Sequence, residues 1–111
     1  MASKGFTIAN TASLSGSINI AGQVPTAIGI DALTGTSLTF QVASAKGTFR
    51  NLYDDTGTEV TMTVAVTART TMIPAAISEK LSGFARIKVR TGTAGSPTAQ
   101  AAARTLELFT Q

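Results

Sequence analysis

From Glu59 to Val66 the chain reads Glu-Val-Thr-Met-Thr-Val-Ala-Val, with an apolar residue at every second position. Successive side chains of an extended strand point to opposite faces. The run therefore sets Val60, Met62, Val64 and Val66 on one side and Thr61, Thr63 and Ala65 on the other. A helical period of 3.6 would scatter both sets around the axis, so the alternation predicts a half-buried strand. The pattern recurs along the chain. Leu14, Gly16, Ile18 and Ile20 share one face of a first run, and Leu38, Phe40 and Val42 share one face of Ser37 to Ala43. Ala85, Ile87 and Val89 alternate with Arg86, Lys88 and Arg90, and Leu106 and Leu108 share a face of Arg104 to Thr110. Phe6 to Ala9, Thr26 to Ile30 and Thr48 to Tyr53 are shorter candidates.

Turn chemistry separates these runs. Asp54-Asp55-Thr56-Gly57 carries acids ahead of a glycine able to take a positive φ, a hairpin signature. Breaks are also expected at Ala21 to Pro25, at Ala45-Lys46-Gly47, and through the Gly-, Ser- and Pro-rich stretch from Gly92 to Pro97. Only Pro74 to Leu81 reads as helix, with proline at its start and Gly83 past its end; Ala99 to Ala103 could add one turn. About eight short strands with frequent turns predict an all-β, single-domain two-sheet β-sandwich, jelly-roll-like, with at most one short helix. Residues 1–12, small and polar, are expected as an extended N-terminal arm, and residues 13–111 as the sandwich.

Composition narrows the function. The 111 residues suit one domain. They include no cysteine and no histidine, which removes disulfides, thiolate chemistry, the commonest metal ligand and the usual general base near neutral pH. Most hydrolase and metalloenzyme constellations need one of these, so no catalytic residue, metal or cofactor is expected. Charged residues are 14% of the chain and the net charge is +3, too sparse for a nucleic-acid binder. No run approaches the ~18 apolar residues of a membrane span, and Met1 to Leu14 has no signal-peptide apolar core.

Arg86, Lys88 and Arg90 form a basic row on one strand face. Such a row grips phosphates or an acidic partner, or else stays solvated and discourages edge-to-edge aggregation. Asp54 and Asp55 are adjacent, so in a strand they would diverge; they suit a turn better than a calcium site. Ser78 and Lys80 lack any companion oxyanion-hole signature. The glycines of residues 91–96 precede no Lys-Ser/Thr and make no phosphate loop. Tyr53 could stack on a sugar, although there is no tryptophan.

The segment Phe84-Ala-Arg-Ile-Lys-Val-Arg-Thr-Gly-Thr-Ala-Gly-Ser-Pro-Thr-Ala-Gln-Ala-Ala-Ala-Arg-Thr-Leu-Glu-Leu resembles a recurrent tail of small tailed-phage structural proteins: an apolar–basic strand, a Ser/Thr-Gly-Thr loop, a proline, a Gln-Ala-Ala segment and a final strand. Leu38 to Ala43 and Leu52 to Thr61 are similar to the same group. The likeness spans roughly residues 37 to 110. It implies a jelly-roll-type decoration, or cement, protein that binds the outside of a phage head and staples neighbouring major capsid subunits. The implied partners are the major capsid protein and further copies of itself, as homodimer or homotrimer, with no nucleic acid and no membrane. The implied location is the capsid exterior of a virion assembled in the host cytoplasm. Lys4, Phe6, Arg86, Lys88 and Arg90 are the expected partner-binding residues. A tail component, or a receptor- or carbohydrate-binding component of the same particle, is the alternative, because one sandwich serves either role.

Overall fold

The computed structural model describes residues 2–111. Nine strands and one helix follow in order: β1 (Ala2–Ile8), β2 (Ile18–Asn19), β3 (Pro25–Ile30), β4 (Ser37–Ala43), β5 (Arg50–Asn51), β6 (Thr61–Thr63), β7 (Arg69–Met72), α1 (Ala75–Leu81), β8 (Arg86–Thr91) and β9 (Arg104–Thr110). All pairings are antiparallel. One sheet runs β1-β9-β3-β7. The other runs β2-β8-β4, and β4 then pairs with β5 toward one end and with β6 toward the other.

The order follows from nested pairing. With β5 and β6 counted as one position, the first strand pairs with the last, the second with the next-to-last, and so on inward to β4. The chain is one long hairpin rolled up, which is the jelly-roll-like arrangement of two packed sheets. The chain is thus an all-β sandwich with one short helix.

The alternating faces meet between the sheets. Phe6, Ile8, Ile28, Leu106 and Leu108 from the first sheet pack with Ile18, Leu38, Phe40, Met62, Ile87 and Val89 from the second in a single buried cluster. Each large apolar side chain removed from water contributes about 1.5–3 kcal/mol, an upper figure because the unfolded chain is itself partly collapsed. The helix closes one end. Leu81 is fully buried, and the buried Ser78 hydroxyl donates to the Pro25 carbonyl at 2.6 Å, fastening α1 to β3.

Several expectations change. Residues 2–8 are not free of the sandwich: β1 pairs with β9 along all seven positions, and Phe6 and Ile8 enter the core. Met1 of the expected arm lies outside the described residues. Val66 was expected inward with Val64, but β6 stops at Thr63 and Val66 is 46% exposed. Leu14 to Ile20 forms a strand only at Ile18 and Asn19, with a single isolated bridge from Leu14 to Arg90. Ser15 turns inward there, and its hydroxyl oxygen accepts the Val89 N–H at 2.9 Å.

Candidate interaction surface

The basic row lies on the outward face of the second sheet. Cross-strand register places Arg90 beside Thr39, Lys88 beside Gln41 and Arg86 beside Ala43. This face is not bare, because the excursion from Ser44 to Val60 folds over it, and the three cations hold that excursion down.

Arg86 donates from Nε and Nη2 to the Ser44 carbonyl at 3.0 and 2.9 Å, and from Nη2 to the Gly47 carbonyl. Its guanidinium carbon sits 4.8 Å from the centre of the Phe49 ring. The Lys88 ammonium lies 4.6 Å from the same ring centre. One aromatic ring thus carries two cations, an arrangement favoured by the negative potential of its faces.

Arg90 goes deepest. Its Nη1 lies 3.3 Å from a Glu59 carboxylate oxygen, with the two side chains 8% and 14% exposed. Its Nη2 donates to Asn51 Oδ1 at 2.6 Å, and Nη1 reaches Thr39 Oγ1 at 3.4 Å. Glu59 also accepts the Ala94 N–H, at 3.2 and 3.1 Å from its two oxygens. The Thr39 hydroxyl donates onward to the Gly92 carbonyl at 2.8 Å. A carboxylate taken out of water is costly unless its lone pairs are filled, and here cation and amide fill them. The network ties β4, β5, β8 and the 92–97 loop into one unit. Arg90 therefore has no free guanidinium to offer a partner, while Arg86 and Lys88 keep part of their surface.

Lys4 and Phe6 lie in the other sheet, on the edge strand β1. Lys4 is exposed and Phe6 is buried. The five residues expected to bind a partner are thus split between two sheets.

Other candidate sites are occupied by structural bonds. The Asp54 carboxylate accepts from the Thr56 hydroxyl at 2.7 Å, the Thr56 N–H at 2.9 Å and the Thr58 N–H at 3.0 Å. The Thr56 hydroxyl first, then the Thr58 and Thr56 amides, hold its pKa below the ordinary value of 3.8. Ser78 is spent on Pro25, while Lys80 donates separately to the Ala76 carbonyl at 3.2 Å. Tyr53 is half exposed, at 50%. A shallow depression of about 520 Å³ crosses the outer face of the first sheet, between Gly5, Gly29, Asp31, Arg69 and Glu107.

Sequence reasoning missed Glu59, Phe49 and Gln100. Glu59 had a readable signal: it precedes the inward Val60, so it faces outward like Arg90, and a pairing follows once β6 and β8 are known to flank β4.

No protein-family model, curated protein or solved structure matches the chain.

Proposed function

We propose that the chain is a non-enzymatic structural protein of a phage particle, which binds the outside of the capsid and staples neighbouring major capsid subunits. The observation that carries this reading is the resemblance of residues 84–108 to small tailed-phage structural proteins. Those residues form β8, the 92–103 loop and β9, which run through the middle of both sheets. The fold supports it by analogy alone, since double-sheet jelly rolls recur in capsid and lectin domains. The use of polar side chains supports it too. Arg90, Glu59, Asp54, Ser78 and Gln100 are all bonded within the fold, as suits a rigid spacer repeated over a lattice, where many weak contacts sum.

The deciding experiment is the copy number and position of the chain in purified particles, by quantitative gel and electron cryomicroscopy. Hundreds of copies over the shell are expected. A few copies at one vertex would replace the reading with a tail or receptor-binding part, for which the exposed Tyr53 would be the first residue to examine. Absence from particles would end it.

A further inference from the structure

A sheet edge is a row of unpaired N–H and C=O groups, and folded proteins blunt such rows with short strands, bulges, charges or cover. Three of the edge elements here are blunted by length: β2 and β5 have two residues each and β6 has three. The fourth, β7, has four residues beginning with Arg69. The exception is β1. It has seven residues, pairs with β9 without a register shift, and exposes Ala2, Ser3, Lys4, Gly5 and Thr7. Its one charge is Lys4.

The midpoint of Ala2–Ile8 is Gly5. An antiparallel pairing of two copies of β1 centred there would use the whole strand, setting Ala2 against Ile8, Ser3 against Thr7 and Lys4 against Phe6. Partners in this register lie an even number of residues apart, so their amide groups point the same way and every outward donor meets an outward acceptor. The charge pattern suits it as well. Lys4 stands off the axis and faces an aromatic residue, not a second Lys4, and like charges directly opposite would be destabilising. At the axis Gly5 has no side chain to interfere.

We propose that β1 pairs with β1 of a second copy about a two-fold axis at Gly5, joining two four-stranded sheets into one continuous sheet. Such an isologous contact closes on itself and stops at the dimer. The pairing is a property of the isolated chain and does not depend on the capsid reading.

Ser3, Gly5 and Thr7 share the exposed outer face, and a Cβ placed on Gly5 would meet nothing closer than the Leu106 carbonyl at 3.8 Å. Long side chains therefore fit all three positions in one protomer. In the dimer the same three positions lie opposite one another. The test is sedimentation velocity on the native chain, on the triple variant Ser3→Lys/Gly5→Lys/Thr7→Lys, on its Glu counterpart, and on an equimolar mixture of the two. The native chain should dimerise. Each variant alone should need at least roughly tenfold more protein to do so, because three like-charge pairs are opposed. The Lys variant should keep the native melting temperature within a few degrees, whereas the Glu variant, with Gly5→Glu opposite Glu107, should melt lower. The mixture should recover a dimer. A native chain that stays monomeric up to about 1 mM, or a Lys variant that dimerises as the native chain does, would overturn the proposal. So would a mixture that stays monomeric.

Discussion

The side-chain amide of Gln100 binds the backbone of Thr34 as a neighbouring strand would: its Oε1 accepts the Thr34 N–H at 2.9 Å and its Nε2 donates to the Thr34 carbonyl at 2.9 Å. The backbone of Gln100 does the same work elsewhere, accepting from Thr11 N–H and donating to the Ala12 carbonyl, both at 2.9 Å. Arg104 Nε donates a second bond to the same side-chain oxygen at 3.1 Å. One residue, 1% exposed, thus pins three loops at one end of the sandwich. Gln100→Ala leaves the Arg104 guanidinium and the Thr34 backbone without these partners. It should cost about 2–3 kcal/mol, lowering the melting temperature by roughly 10 °C in a domain of this size. Calorimetry checks it, and a shift under about 2 °C would mean that water replaces the amide without loss.

Glu59 and Arg90 should show the asymmetry of a buried ion pair. Glu59→Ala strands the guanidinium and is expected to destabilise by about 3–5 kcal/mol, while the double variant Glu59→Leu/Arg90→Met should recover most of that loss. Urea unfolding of the two variants decides it. Equal midpoints would show that the stranded charge reaches solvent.

Gly92 and Gly57 both have positive φ, +85° and +83°, yet substitution should separate them. A Cβ on Gly57 meets open space, so Gly57→Ala bears only the backbone penalty of about 1 kcal/mol. A Cβ on Gly92 falls 2.6 Å from both the Ser96 carbonyl oxygen and the Thr98 nitrogen. Gly92→Ala must therefore displace the loop that hands Ala94 N–H to Glu59. It is expected to lower the melting temperature well beyond the Gly57 variant; equal effects would contradict the close approach.

Asp54 carries a pH dependence of known sign. Its folded pKa lies below the ordinary 3.8, so the folded state binds this proton less readily than the unfolded one. The stabilisation is complete above the unfolded pKa and fades as pH falls through the folded value. Carbon-detected NMR titration should place the Asp54 midpoint under 3.8, with the Thr56 and Thr58 amides moving in step. A midpoint at or above 3.8 would show that the turn bonds do not persist in solution.

Three of the alternations were legible as strands because period two survives wherever one face is dry and the other wet, whereas the clearest one, Glu59 to Val66, forms a strand only from Thr61 to Thr63. Ser37–Ala43, Arg86–Thr91 and Arg104–Thr110 appear within a residue of their expected bounds. The edges were not legible. Arg69-Thr-Thr-Met becomes β7 with both faces wet, so its side chains carry no alternation. Residues 2–8 read as an arm because four of the seven are small or hydroxylated, and only their pairing with β9 makes Phe6 and Ile8 a core face. The basic row was visible as a row, but its cover was not, since nothing local says that residues 31 to 42 positions earlier fold against it. Gln100 had no signal at all: a glutamine among alanines becomes a clamp only when distant loops converge on it.

The nested pairing also sets an order of events in synthesis. The innermost pair, β4 with β5 and β6, lies close in sequence and can form early, whereas β1 is made first and its mate β9 last. Long-range closure of this kind is slow. Until β9 emerges from the ribosome, Phe6 and Ile8 have no sheet to enter, and β1 waits as an unpaired strand.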